Sequence, residues 1–279
     1  MKADCHIHMV LDGYEWRSAL ARHGAAPQED FIRSALERYH ALGYNYLRDG
    51  GDRWGVGKAA RQMAAQYAIE YRTPLAPLCK VGHYGAFIGE TYADLRQYAA
   101  LVKKIRADDG DFIKIMISGL MDFDRFGVLT EEGLPAREIR ELIHIAHEEG
   151  FAVMAHANGA RTVEAAAVAG VDSVEHGAYL DGDALAAMAG SGTVWVPTIS
   201  TVANLRGKGR FHEAAVQKIL ASTLENIEAF AAMGGLIASG SDAGAWAVEH
   251  GCESEYGLLS PVCGEEVLRK GLKKIMERF

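Results

Sequence analysis

The sequence lacks the marks of a nucleic-acid, membrane or secreted protein. It carries 29 Lys+Arg against 37 Asp+Glu, a net charge of −8 at pH 7, so there is no basic footprint for nucleic acid. No apolar run approaches the roughly 20 residues that a membrane-spanning helix needs, so no membrane partner is expected. Cysteine is sparse: Cys5, Cys79, Cys252 and Cys263 lie far apart and form no CxxC pair. With no signal peptide ahead of them, the expectation is reduced thiols in a cytoplasm. Linkers, low-complexity tracts and internal repeats are also missing, which argues against several domains or a solenoid. What remains is a chain of 279 residues, 49% of them hydrophobic, enough for one large core.

Along that chain, β-prone runs alternate with helix-like stretches. The runs are "ADCHIHMV", "YNYLRDGG", "PLAPLCKVG", "DFIKIMIS", "FAVMAH", "VDSVEHG", "TVWVPT" and "GLIASGSD". Helical patterns such as "YADLRQYAALVKKIRA" and "LPAREIRELIHIAHEEG" separate them, several ending in glycine, a common helix C-cap. This alternation predicts an α/β fold, a single (β/α)8 TIM barrel over residues 1–279. A doubly wound open sheet is the alternative.

Barrel active sites lie at the C-terminal ends of the strands. The polar residues expected there are His6 and His8 on the first strand, Lys114 on the fourth, and His156, His176 and Asp242 ending the fifth, sixth and eighth. Side chains two apart on a strand share a face, so His6 and His8 converge while Cys5 and Ile7 point the other way. Each histidine alone reads as a hydrogen-bonded core residue. Four histidines and an aspartate at strand ends of one barrel read as a metal centre, since imidazole and carboxylate suit zinc and similar divalent ions. Lys114 sits in an otherwise apolar strand, where a bare ammonium is costly. Its amine could add CO₂ and become an anionic carbamate able to bridge two metals. The competing reading is a Schiff-base lysine of a lyase, which leaves the histidines and Asp242 without a role.

The segments "HIH", "FIKIMISG", "MAHANG", "VEHG" and "GSDAG", in this order, resemble the amidohydrolase superfamily with a carboxylated lysine and a binuclear metal centre. "GARTVEAAAVAGVDSVEHGAYLD" and "LGYNYLRDGG" are similar to its imidazolonepropionase-like and prolidase-like branch. The resemblance implies two divalent ions, zinc first, with manganese or cobalt also accommodated. It implies His6, His8 and Asp242 on the more buried ion, His156 and His176 on the other, and carbamylated Lys114 between them. The implied activity is hydrolysis of an amide or peptide-type C–N bond in a small molecule (a dipeptide, an N-acyl compound or a cyclic amide) by a metal-bridging hydroxide, with Asp242 as proton shuttle. Lactonase-like and phosphotriesterase-like relatives share the ligand set, so an ester substrate is the alternative. Members of the branch usually carry a small β-sandwich built from both chain ends. Here His6 comes five residues after Met1, so the expectation is a barrel without that domain.

Substrate contacts are expected from loops at the same mouth: His83 and Tyr84 in "KVGHYGAFIG", Tyr179 after "EHG", and His250 in "WAVEHGCE", with "MDFDRFG" as a lid or an ordinary exposed loop. His144 and His147 fall opposite the apolar face of their helix and read as solvated. "DRWGVGKA" resembles a phosphate loop only superficially, because Asp52 replaces the first glycine and Ala59 the Ser or Thr. The partner expected is a small-molecule substrate, and a homo-oligomer is left open.

Overall fold

A computed structural model describes residues 1–279. Its ten strands are β1 (Lys2–Ile7), β2 (Tyr44–Asp49), β3 (Glu70–Arg72), β4 (Leu78–Lys80), β5 (Glu90–Tyr92), β6 (Ile113–Met116), β7 (Val153–Ala157), β8 (Ser173–His176), β9 (Val194–Val196) and β10 (Leu236–Ile237). All pairings are parallel. They form a three-stranded sheet, β1-β2-β3, and a seven-stranded sheet, β10-β9-β8-β7-β6-β4-β5. Strands β6 to β9 are buried at every position, as expected where a parallel sheet is covered on both faces.

Each of the eight expected runs contains a strand. The additional β3 and β5 were not expected. The sequence pattern extends a helix through Tyr71, but α3 (Val56–Ala64) ends earlier, followed by one 3₁₀ turn and Ala68 at φ +53°. Three-residue strands such as "EYR" and "ETY" are too short to carry a period. The eighth run forms only a two-residue ladder, after which Ala238 N–H donates to Trp195 O (3.0 Å).

Helices pack outside the strands. In α5 (Ala136–Glu148), Ile139, Leu142, Ile143 and Ala146 make the buried face, the 3.6-residue period read from the sequence. Aspartates cap two others: Asp94 accepts from Gln97 N–H at α4 (Leu95–Ala107), and Asp181 from Ala184 N–H at α7 (Gly182–Ser191). Such caps contribute about 1 kcal/mol each. No helix is long and apolar enough to cross a membrane.

The two sheets meet beside β1. Cys5 N–H donates to Ser239 O (2.9 Å), Asp242 N–H to His6 O (2.7 Å) and His8 N–H to Ala243 O (2.7 Å). These bonds bring Asp242 alongside His6 and His8, which lie more than 200 positions away in the sequence.

Candidate active site

His6 is wholly buried on β1, and its Nδ1–H donates to Glu175 Oε2 at 2.7 Å. Glu175 on β8 is held in turn by Arg48 Nη2 (2.8 Å) and Ser173 Oγ (2.5 Å). Arg48 also donates through Nε to Cys5 O (2.7 Å), and its guanidinium lies 4.4 Å from the ring centre of Phe279. Because an ionised Glu175 can only accept, it fixes the proton on His6 Nδ1 and leaves Nε2 as a bare lone pair.

That lone pair faces two other acceptors. His6 Nε2 lies 3.4 Å from His8 Nε2 and 3.5 Å from Asp242 Oδ1, and His8 Nε2 lies 3.4 Å from the same oxygen. Asp242 Oδ1 is buried and makes no hydrogen bond. Nδ1 of His8 is buried without a partner, and with the proton there the three facing atoms are all acceptors, which repel one another at this spacing unless a cation sits among them. A triangle with such edges has its centre about 2.0 Å from each corner, the length of a Zn–N or Zn–O bond. His6, His8 and Asp242 therefore fit a divalent metal.

The remaining strand-end residues surround this triangle. Lys114, 1% exposed on β6, places Nζ 3.5 Å from His6 Nε2. His156 and His176 lie with ring centres 4.5 Å apart, and His176 is 5.1 Å from His6. His176 Nδ1–H donates to Thr198 Oγ1 (2.7 Å), whose own hydroxyl proton goes to Pro197 O (2.8 Å), so Nε2 of His176 is bare. His156 Nε2–H donates to Gly119 O (3.2 Å), leaving its Nδ1 bare. The structure thus brings together all six residues expected at the metal centre.

Electrostatics match this crowding. Burial, then the Lys114 charge, pulls His8 and His156 down to about 3. Burial holds His6 and His176 well below the ordinary range too. All four are neutral imidazoles at neutral pH, the form that binds metal. Burial lowers the Lys114 amine and raises the Asp242 carboxyl.

Local backbone explains how the side chains arrive. His176, Thr198 and Asp242 adopt φ of +68°, +51° and +59°, uncommon for non-glycine residues and gathered at this one place. Asp4 stabilises the turn before Asp242 by accepting from Ser241 N–H (2.8 Å) and Ser241 Oγ–H (2.5 Å). Gly50 leaves room for His8: a Cβ there would lie 2.3 Å from His8 Cε1.

Above these groups opens a cavity of about 710 Å³. His8, Lys114, His156, His176 and Asp242 are among its polar residues, and aromatic and aliphatic side chains form much of the rest. That volume suits a small organic ligand.

The expected substrate contacts divide. Tyr84 lines the cavity with its ring 5.0 Å from that of His156. Its neighbour His83 is off the cavity wall and pairs with Glu131. Tyr179 is likewise off the wall, packed edge-on to Phe126 at 5.4 Å. His250 is a correction: it is buried, with Nδ1 at Tyr39 Oη (3.2 Å) and Nε2 at Leu11 O (2.9 Å), so neither nitrogen is free for a substrate. From the proposed lid, Met121, Asp122 and Phe123 line the cavity, while Asp124 to Gly127 are exposed.

Two further readings are decided by neighbours. His144 is exposed, but His147 is half-buried with Nε2 2.9 Å from Asp172 Oδ2, so it is paired rather than simply solvated. Asp52 places its own carboxylate on the N–H groups of Trp54, Val56 and Gly57 at 2.8–3.0 Å, taking the position a phosphate would need at the start of α3.

Arg48 and Glu175 were missed as functional residues, although both stand in quoted segments, "YLRDGG" and "VEHG". The signal that singled out Lys114, a charge within an apolar strand, applies equally to them.

The amidohydrolase family model matches residues 56–267. An uncharacterized protein of Mycobacterium tuberculosis (strain ATCC 25618 / H37Rv) is 31% identical over 119 residues, 40% of this chain and 32% of its own. The match thus spans about a third of that relative's length. Among solved structures, a Xaa-Pro dipeptidase with bound methionine has a TM-score of 0.76 at 20% identity, over 99% of this chain and 75% of its own. A prolidase complexed with N-methylphosphonate-L-proline gives 0.77 at 22%, over 99% and 73%. The A. niger ochratoxinase gives 0.76 at 19%, over 98% and 68%. At these identities the likeness is one of fold.

Proposed function

The chain belongs to the amidohydrolase family, and from that premise we propose that it is a metal-dependent hydrolase of an amide-type C–N bond in a small molecule. In this reading residues 1–279 act as one domain, a closed (β/α)8 barrel with its site at the C-terminal strand ends. The observation that carries the proposal is the buried triangle of potential ligand atoms made by His6 Nε2, His8 Nε2 and Asp242 Oδ1.

His6, His8 and Asp242 would hold one divalent ion, His156 and His176 a second, and Lys114 as its carbamate would serve both. Zinc suits the donor set best, and manganese or cobalt is accommodated. When bound, the ions supply a water of lowered pKa and a Lewis acid for the substrate carbonyl.

The chain's own residues do the rest. Lys114 Nζ, as a neutral amine, would form a bond to the carbon of CO₂ as one C=O π bond opens to leave a carboxylate oxygen and the N–H proton passes to solvent. Burial favours that neutral form. The histidines stay neutral, and His6, His176 and His156 are fixed in tautomer through Glu175, Thr198 and Gly119. Asp242, the carboxylate of the triangle, would accept the proton of the attacking water and deliver it to the departing nitrogen. Tyr84, on the wall beside His156, is the substrate contact with the best-placed side chain.

The test is elemental analysis of protein purified without chelator, joined to a panel of dipeptides, N-acyl amino acids and lactones. Two divalent ions per chain and release of amine are expected. Protein free of transition metal, or cleavage of lactones alone, would overturn the reading.

A further inference from the structure

We propose that Phe279 is a positioning residue for His6: its ring is a stopper beneath the strands that keeps water from the chain Arg48–Glu175–His6. This deepens the metal-centre reading and rests on it only for the zinc arm of its test.

Arg48 is wholly buried, and each of its three nitrogens donates: Nε to Cys5 O (2.7 Å), Nη1 to Ser173 Oγ (3.0 Å) and Nη2 to Glu175 Oε1 (2.8 Å). Glu175 Oε2 in turn holds His6 Nδ1–H. These bonds leave the face of the guanidinium to be covered, and rings cover it. The guanidinium carbon is 4.4 Å from the ring centre of Phe279 and 6.0 Å from that of Phe112, and the two rings meet edge-on at 5.2 Å. Phe279 is itself buried, in one apolar cluster with Cys5, Tyr46 and Met154. The helix Glu265–Arg278 delivers it there. Gly271 lets that helix lie flush on β10, since a Cβ there would be 1.9 Å from Ile237 O. At the helix end Arg278 clamps Asp172 Oδ1 through Nε (2.7 Å) and Nη2, one residue before β8, the strand that carries Glu175.

A charge pair sealed from water keeps its strength, whereas water admitted beside it screens the pair and competes for its hydrogen bonds. Truncating Phe279 to alanine opens a space directly against the guanidinium. That space has a cation on one side, so water enters it rather than leaving it dry. Water on Arg48 loosens its hold on Glu175, Glu175 turns from His6, and the Nδ1 proton meets solvent. Leucine fills most of the same space with apolar atoms and keeps water out.

Nuclear magnetic resonance of the full chain, ¹⁵N-labelled on histidine, reads the exchange of His6 Nδ1–H with water, first without metal and then after zinc loading. The signal is assigned by its loss in His6→Gln. In Phe279→Ala the exchange should quicken about 10-fold or more, the mark of a local opening. Zinc should bind that variant about 10–100-fold more weakly, as when the outer partner of a ligating histidine is lost. Phe279→Leu should stay near the parent in both measurements. A ring that only packs predicts lower stability of Phe279→Ala in urea with His6 exchange unchanged. That result overturns the proposal, and so does a Phe279→Leu protein that matches Phe279→Ala. Should Phe279→Ala not fold, Phe279→Val carries the same test, with exchange expected to be faster than in Phe279→Leu. If exchange quickens and zinc affinity holds, the stopper stands and His6 falls as a metal ligand.

Discussion

Glu175 Oε2 lies 2.7 Å from His6 Nδ1, with both side chains wholly out of solvent. Arg48 balances the carboxylate from its other side, so a buried charge pair commits the histidine to one tautomer. Glu175→Gln leaves Arg48 unpaired. Stability should fall by about 3–5 kcal/mol, the usual cost of breaking a buried pair from one side. Zinc affinity should fall about 10–100-fold, since the outer partner of a ligating histidine is lost. Urea unfolding and competition with a chromophoric chelator measure the two effects, and an unchanged zinc affinity would show that His6 does not depend on Glu175.

Lys114→Ala should lose metal occupancy and activity together if the side chain acts as a carbamate. Formate, acetate or propionate should partly restore both by placing two oxygens in the vacated space. Lys114→Arg should fail, because a guanidinium keeps its charge and does not add CO₂. Trapping of a covalent adduct by borohydride with a carbonyl substrate would instead point to a Schiff base.

Asp242→Asn keeps the shape of the side chain and removes its basicity. The expected result is a folded protein with kcat lowered on the order of 10²–10⁴-fold. Turnover near that of the parent on the same substrate would exclude Asp242 as the proton acceptor.

Gly50→Ala introduces a Cβ 2.3 Å from His8 Cε1. Gly50 has no positive φ, so the backbone accepts alanine and the ring must move. Metal content by elemental analysis should drop while the far-ultraviolet circular dichroism spectrum stays that of the parent. Full metal occupancy would mean that His8 is not held as a ligand by this close approach.

Glu255 supplies a pH dependence. Burial pushes its carboxyl from an ordinary 4.5 up to about 8, against the opposing hydrogen bonds from Ser200 and Ile199. Between these values the folded protein keeps a proton that the unfolded chain has released. This group's contribution is therefore fully present below about pH 4.5 and declines as pH rises toward 8. Relative to Glu255→Gln, the parent should lose on the order of 2–4 kcal/mol in urea unfolding between pH 5 and pH 8. Parallel stabilities across that window would show that Glu255 is ionised throughout.

Much of this was legible locally. The period of two in "HIH" puts His6 and His8 on one face, the period of 3.6 sets the buried face of α5, and a lysine amid isoleucines marks Lys114. Short strands were less legible: β3 and β5 have three residues each, and their pairing rather than their composition makes them strands. His250 was misjudged because a histidine in a loop after Asp242 looks available. Its two hydrogen-bond partners, the Tyr39 hydroxyl and the Leu11 carbonyl, are 211 and 239 positions away.

The types of donor and the strands that carry them follow from patterns a few residues long, because side-chain direction is a local property of backbone geometry. Which nitrogen of His6 and of His176 is bare depends on partners outside their own segments. Glu175 stands 169 positions from His6 and Thr198 stands 22 from His176. The same holds for the meeting of Asp242 with His6 and His8. A proton's position and a cation's freedom are set by the field of whatever lies within a few ångströms, and that neighbourhood exists only once the strands have paired.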